Sequence, residues 1–196
     1  MTLDFKLSGL ARFRRPLPTH CCQALVGRRP FTGVEDIMGI AARELSLYVI
    51  RPTLAYLGQH NPNAETLLLG IAASQSRLGA ALHDRRGHGL YCIREPRHAA
   101  LWDDYLARTP DLASLVRGLA SQHAFLGNPH LELTVNLRYA TAIAWLLIEQ
   151  LHVSIPAADD IQGMARVWRQ AFEPQGRLRD FANAWRSCVT PLIQVA

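Results

Sequence analysis

The longest apolar run in the chain, YATAIAWLLI at 139–148, limits what the protein can fold into. The run is well short of the roughly 20 residues that a membrane-spanning helix needs. We therefore expect it to lie inside a protein core. A second segment, 67–73, is apolar nearly all round when it is drawn as a helix, which indicates another helix that is buried on most sides. The fold has to enclose both helices.

Composition and pattern together predict an all-α fold with a single helical domain over 34–196. The chain has 196 residues, 49% of them hydrophobic, which is enough for one well-buried core and too few for two. We expect Pro52 to end or kink the first helix and Asn63 to cap the second. No run alternates long enough for a convincing strand, although GLYCI at 89–93 could be a short extended piece. Helical spacing recurs over 34–50, 61–74, 96–107, 110–126, 131–151, 159–172 and 177–189.

Residues 1–33 differ from the rest of the chain in charge and in proline content. They contain six basic residues and one acidic residue, so they carry all of the net charge of +5. Prolines and glycines among these basic residues predict an extended N-terminal arm with no stable helix. This composition is typical of a segment that becomes ordered when it binds a partner, either another protein or nucleic acid.

The sequence predicts neither a metal site nor a nucleotide cofactor. His83, His88, Cys92 and His98 are close in sequence, but their spacings fit none of the compact zinc patterns. The Walker and dinucleotide-binding patterns are absent as well. We expect the four cysteines to be reduced thiols, and we expect no signal peptide and no membrane-spanning segment.

The order of motifs over 35–187 resembles that of the lysozyme-like lytic transglycosylases. A buried helix ends in ASQS, a loop leads to HGLYCIREP, and a later helix contains NLRYATAIAWLL. The run ETLLLGIAASQSRLG followed by GLYCIREPRHAALWDDYL is similar to phage-encoded proteins of this fold that are described as virion or structural proteins. The resemblance implies that Gln75 lies at the position of the catalytic glutamate, followed by the matching Ser76. It also implies that Tyr91, Cys92 and Tyr139 line the cleft, with Cys92 where the family usually has glutamine.

A glutamine at position 75 removes the group that this reaction requires. Glycosidic cleavage needs a general acid that is protonated near neutral pH and can transfer its proton to the leaving oxygen. An amide has nearly the same shape but transfers no proton, and general acid–base catalysis is typically worth about 10²–10⁴-fold in rate. Asp84 and Glu95 are the candidates to replace the lost acid, since Glu65 is about 15 Å away along the same helix at 1.5 Å per residue. No catalytic residue is predicted from the sequence.

These features predict a pseudoenzyme: a non-catalytic structural component of a bacteriophage virion, in a neck, tail or head–tail junction assembly. The protein would be made in the host cytoplasm and would bind other virion proteins through the arm, as a homo-oligomeric ring. Glycan binding without cleavage stays open. One alternative is an active lytic transglycosylase or lysozyme carried in the virion, which would use Asp84 or Glu95. The other is a nucleic-acid-associated module that uses the arm.

Overall fold

The computed structural model describes residues 39–84 and 87–190, and the fold of these residues is predominantly helical. The predicted arm, 1–33, and the cysteines at 21 and 22 lie outside the described residues. The α-helices are α1 (Ala42–Leu45), α2 (Arg51–Tyr56), α3 (Pro62–Ser76), α4 (Glu95–Ala100), α5 (Pro110–Leu119), α6 (Gln122–Gly127), α7 (Glu132–Val135), α8 (Leu137–Glu149), α9 (Ile161–Ala171) and α10 (Leu178–Cys188). Two π-helical segments, Ser46–Ile50 and Leu101–Tyr105, and a 3₁₀ turn, Leu106–Arg108, extend them.

The two segments predicted to be buried helices form the centre of the fold. Every residue of α8 from Tyr139 to Ile148 is buried, and α3 is buried from Leu67 to Ala73. Helix α3 contacts α8, α9, α10 and the first π-helical segment. Helix α10 approaches α3 closely at Gly70, where an added Cβ would lie 2.6 Å from the Phe181 ring. A core helix that is surrounded in this way has no polar face, which explains its uniform apolar sequence.

Helix α3 begins two residues earlier than the cap predicted at Asn63 requires. Asn61 is the N-cap, in an extended conformation, and its side-chain oxygen accepts a hydrogen bond from the backbone N–H of Asn63 at 2.9 Å. Pro62 occupies the first helical position, where a missing N–H costs nothing and its fixed φ suits the helix. The prediction of Asn63 as the cap was wrong because it placed this proline outside the helix.

Of the two outcomes expected at Pro52, an end or a kink of the helix, the structure excludes the end. The segments α1, the π-helical segment and α2 follow one another without an intervening loop. The hydrogen-bond pattern changes over Ser46–Ile50, in the turn before Pro52, which has no N–H to donate.

The long helix predicted over 131–151 is interrupted at Asn136. This residue has an extended backbone, with φ −122° and ψ 96°, and it separates α7 from α8. Its side-chain oxygen accepts a hydrogen bond from the N–H of Tyr139 at 3.1 Å, so it is the N-cap of α8. An asparagine inside an apolar helical pattern can favour a cap over continuation of the helix.

Residues 83–93 form a small hairpin and a tight turn. Strand β1 (His83–Asp84) pairs antiparallel with β2 (Gly87–His88), and an isolated bridge joins His88 to Ile93. The predicted extended piece at 89–93 is therefore mostly a turn, in which the N–H of Cys92 donates to the Gly89 carbonyl. Gly89 has φ +67°, and a Cβ there would lie 1.7 Å from the backbone oxygen of Leu133. Both its conformation and this close backbone contact require glycine.

The last two helices close the core. Asp160 caps α9 by accepting a hydrogen bond from the N–H of Gly163 at 2.7 Å. Trp168 on α9 and Trp185 on α10 are both buried. Within the described ranges, no helix has the length and apolar character needed to cross a lipid bilayer.

An ion pair ties the start of α3 to the preceding helical segment. The carboxylate of Glu65, which is buried, accepts hydrogen bonds from Arg51 Nε at 3.0 Å, from Arg51 Nη2 at 3.1 Å and from the Ser46 hydroxyl. Burial by itself raises the pKa of Glu65, but the hydrogen bonds from Arg51 and Ser46 and the charge of Arg51 outweigh it, so the pKa is lowered. Glu65 is thus a structural anion.

We predict that Glu65→Gln lowers the free energy of unfolding at pH 7 by roughly 1–3 kcal/mol, the usual loss for hydrogen bonds to a charged group. The pKa of Glu65 in the folded state lies below the ordinary value of 4.5. Its carboxylate therefore stabilises the fold above pH 4.5, and this stabilisation is lost as the pH falls through the lowered pKa. Urea denaturation from pH 7 to pH 3 should therefore show the two proteins converging in acid. The exposed Glu44→Gln is the matched control. An equal effect of both substitutions at pH 7 would contradict this role for Glu65.

Candidate functional site

Gln75 lies in the last turn of α3, at a helix end that is unusually constrained. Its side chain is only 6% exposed. The N–H of Arg77 donates to the Ala73 carbonyl, which is the αL arrangement for ending a helix, and the N–H of Leu78 donates to the Ala72 carbonyl. Arg77 and Leu78 both have positive φ, 51° and 57°, at positions where glycine is usual. Each such residue costs about 1–2 kcal/mol, so the surrounding contacts must hold the turn in place.

The hydroxyl of Ser76 is one of these contacts. It lies 2.7 Å from the Leu90 carbonyl and 3.2 Å from the Ala72 carbonyl, and it accepts a hydrogen bond from the N–H of Gly79 at 2.9 Å. The single hydroxyl proton is best placed for the shorter distance, to Leu90. Ser76 therefore joins the end of α3 to both the strained turn and the loop that follows β2.

Cys92 lies beside Gln75. Its thiol donates to the backbone carbonyl of Gln75 across 3.2 Å, and its backbone has φ 47°. The structure thus brings Gln75, Ser76 and Cys92 together around one helix end. In this group the cysteine contacts a main-chain atom of Gln75, and the contact stabilises the last turn of α3.

The two tyrosines predicted for the cleft make separate contacts. Tyr91 is completely buried, and its hydroxyl is 3.2 Å from the hydroxyl of Thr141 on α8. Burial raises the pKa of Tyr91 more than this hydrogen bond lowers it. Tyr139 is also buried, but its hydroxyl belongs to a second polar cluster, which lies at the bottom of a cleft.

This second cluster joins four rings from three helical segments and a loop. The Tyr139 hydroxyl is 2.6 Å from His98 Nε2 and accepts a hydrogen bond from Trp102 Nε1 at 3.0 Å. His98 Nδ1 is 2.9 Å from His130 Nδ1. His98, Trp102 and His130 also line a cleft of about 500 Å³. The cleft is in the size range of small-molecule sites.

Only one assignment of donors and acceptors gives every proton in this cluster an acceptor among the described residues. Burial and, to a smaller extent, the charge of Glu132 raise the pKa of Tyr139, so its phenol keeps its proton. Trp102 Nε1 can only donate, and it points at both the Tyr139 oxygen and His98 Nε2, at 3.0 and 3.2 Å. If His98 Nε2 carried a proton, the Tyr139 proton would have no acceptor among the described residues. We therefore assign Tyr139 as donor to His98 Nε2.

The same assignment fixes the second histidine. His98 then carries its proton on Nδ1 and donates to His130 Nδ1, so a neutral His130 carries its own proton on Nε2. Burial lowers the pKa of His98 to about 4, with a further contribution from the neighbouring His130 and His88. His130 also stacks on His88, with ring centroids 6.1 Å apart. The buried series of hydrogen bonds runs from Tyr139 through His98 to His130, which lines the cleft.

The cleft was not predicted from the sequence. The sequence presents His98 only as a possible metal ligand, and it does not indicate Trp102 or His130 as site residues. One signal was available, since His98 and Trp102 are four residues apart and therefore share a helix face. His130 lies 32 positions from His98, and nothing in the sequence indicates that contact.

The carboxylates that could replace a catalytic acid are engaged elsewhere or lie outside the described side chains. Glu95 is largely exposed, and His88 Nε2 is 3.0 Å from its Oε1. Glu65 is held by Arg51 and Ser46, as described above. The side chain of Asp84 is not among those described.

Two further carboxylates are partly or fully buried. Glu132 is completely buried, and its Oε2 accepts hydrogen bonds from the Ser121 N–H and the Asn136 amide. Burial raises the pKa of Glu149 more than its hydrogen bond with Tyr105 lowers it. Among the described side chains, no three histidine, cysteine or acidic residues are arranged to hold a metal ion, and His83 lies outside that set.

We predict that His98 is neutral at pH 6 with its proton on Nδ1. Because burial lowers its folded-state pKa to about 4 from an ordinary 6.5, the unfolded chain takes up the proton first. The contribution of the neutral, buried His98 to the free energy of unfolding is therefore complete above pH 6.5 and is lost as the pH falls towards 4. Long-range ¹H–¹⁵N NMR spectra of the histidine rings report both tautomer and titration. A protonated His98 at pH 6, or an Nε2–H tautomer, would contradict the assignment.

Comparison with protein-family models found no matching family, and comparisons with curated proteins and with solved structures found no match. The lysozyme-like resemblance thus stays a prediction from the motifs quoted above.

Proposed function

We propose that this chain is a non-catalytic structural component of a bacteriophage virion, built on a degenerate lysozyme-like domain. The observation that carries the proposal is the side chain at the end of α3. Gln75 is buried beside Ser76 and Cys92, at the position where the resemblance expects a proton-donating glutamate. An amide there keeps the shape of the site and loses its acid–base chemistry.

Two of the acidic residues, Glu65 and Glu95, support the absence of catalysis. A substitute acid would need an unengaged carboxyl group near the leaving oxygen, with a pKa raised towards neutrality. Glu65 has a lowered pKa and is fixed by an ion pair. Glu95 is engaged with His88. Neither has the environment of a general acid.

The assembly role rests on the resemblance to phage virion proteins and on the charge of residues 1–33. Arginine supplies all the positive charge of this segment except Lys6. Arginine pairs with carboxylates through two parallel hydrogen bonds and stays charged when it is partly desolvated, which suits contact with a neighbouring protein. We propose a homo-oligomeric ring whose subunits are joined by the arm, in a neck, tail or head–tail junction.

We predict that the purified protein does not clear a peptidoglycan suspension, whereas Gln75→Glu gains measurable clearing, because the substitution restores a buried acid at the end of α3. Turbidity at 600 nm, with an active lysozyme as positive standard, measures both. The matched control is Gln170→Glu, an exposed position on α9 that receives the same charge. Clearing by the unsubstituted protein at the rate of the standard would overturn the proposal and favour the alternative of an active hydrolase.

We predict that the full chain forms a ring of defined mass and that deletion of 1–33 releases monomers, because the arm supplies the intersubunit contact. Light scattering coupled to size-exclusion chromatography measures the mass of each. Circular dichroism of the shortened chain should show an unchanged helix content, since the described domain begins after the arm. A monomeric full chain at high protein concentration would contradict the assembly role. DNA binding by the full chain, lost in the shortened one, would favour the nucleic-acid module instead.

A further inference from the structure

The cleft between α4 and α5 contains an arginine that is preorganised on two aromatic rings. The Arg117 guanidinium carbon lies 5.5 Å from the centroid of Trp102 and 5.6 Å from that of Phe125. Contact with two aromatic rings, which are inclined by 61° to each other, restricts the guanidinium through cation–π attraction and still allows its N–H groups to donate. Among the described residues, no carboxylate forms an ion pair with Arg117. The cleft thus contains a fixed cation without an anionic partner in that part of the chain.

A second donor faces the same cleft. The hydrogen-bond chain from Tyr139 through His98 leaves a neutral His130 with its remaining proton on Nε2, and His130 lines the cleft together with Arg117. His98, which fixes this direction, is only 1% exposed. Two groups that can donate to an acceptor of negative charge therefore line the same cleft.

The remaining walls restrict the kind of anion. Asp103 also lines the cleft, and its charge opposes a ligand with two negative charges, such as a phosphate monoester. The side chains of Ala99, Leu106, Ala113 and Pro129 supply an apolar wall. A volume of about 500 Å³ accommodates a ligand of small-molecule size. One negative charge next to a compact apolar group fits these walls.

We propose that this cleft binds a monocarboxylate attached to a compact apolar group. The carboxylate accepts hydrogen bonds from Arg117 and His130, and the apolar group packs against the alanine, leucine and proline side chains. A free small acid and the C-terminal residue of a peptide share this chemistry. Gln75 is not among the described residues that line this cleft, so the proposal does not rest on the function proposed above.

Isothermal titration calorimetry with matched probes tests the proposal on the full chain. N-acetyl-L-phenylalanine supplies the carboxylate with a ring, and N-acetyl-L-phenylalaninamide is the same molecule without the charge. We expect the acid to bind at least about tenfold more tightly than the amide, the discrimination that a charge-assisted hydrogen bond provides. Binding of 3-phenylpropionate as tight as that of the acetylated amino acid would indicate a free acid as ligand, and weaker binding would indicate a peptide end. Both outcomes support the site.

Two variants locate the binding. Arg117→Gln removes the cation at an exposed position and should weaken binding of the acid about tenfold without changing that of the amide. Arg169→Gln makes the same charge change on α9, outside the cleft, and should leave both unchanged. Ala107→Trp fills the cleft from its exposed rim and should abolish binding of every probe. Equal binding of acid and amide, no binding of either at millimolar concentration, or an unchanged affinity in Ala107→Trp would overturn the proposal.

Discussion

The burial of α3 and α8 on nearly all sides is the constraint on which the rest of the structure depends. The terminal N–H and carbonyl groups of these helices still need hydrogen-bond partners. Asn61 does so at the start of α3, and Asn136 does so at the start of α8. At the end of α3, two residues with positive φ close the last turn, and Ser76 holds that turn against the following loop. The polar groups of this protein are concentrated where its most apolar helices begin and end.

An amide suits the end of α3 better than an acid for reasons of folding alone. A carboxylic acid at a 6% exposed position would have to stay protonated or find a positive partner, since an unpaired buried charge is costly. Gln75 carries no charge and needs neither. In the degenerate lysozyme-like domain proposed above, this replacement would add stability, because catalytic sites hold groups in environments that destabilise the charged form.

The sequence predicted the helical class and both central helices because their apolar residues recur over long stretches, where periodicity is most informative. It misplaced the boundaries at Asn61 and Asn136, because a capping asparagine and an interior one look alike in a sequence. It placed Gln75 and Ser76 at the end of a buried helix, where the structure has them. The contact of Cys92 with this helix end comes from the structure alone. The cluster of His98, Trp102, Tyr139 and His130 could not be predicted, because it depends on the packing of distant segments whose sequences carry no common pattern.

The cap of α8 connects this buried cluster to the fold. Asn136 accepts the N–H of Tyr139 and donates to the Leu119 carbonyl and to Glu132. It therefore fixes the first turn of α8 against the end of α5, the helix that contains Arg117. The same residue therefore helps to position both Tyr139 and the end of α5. Trp102 then sets the direction of the hydrogen bonds, because an indole N–H can only donate. The donor that His130 offers to the cleft is thus a consequence of a helix cap and one indole.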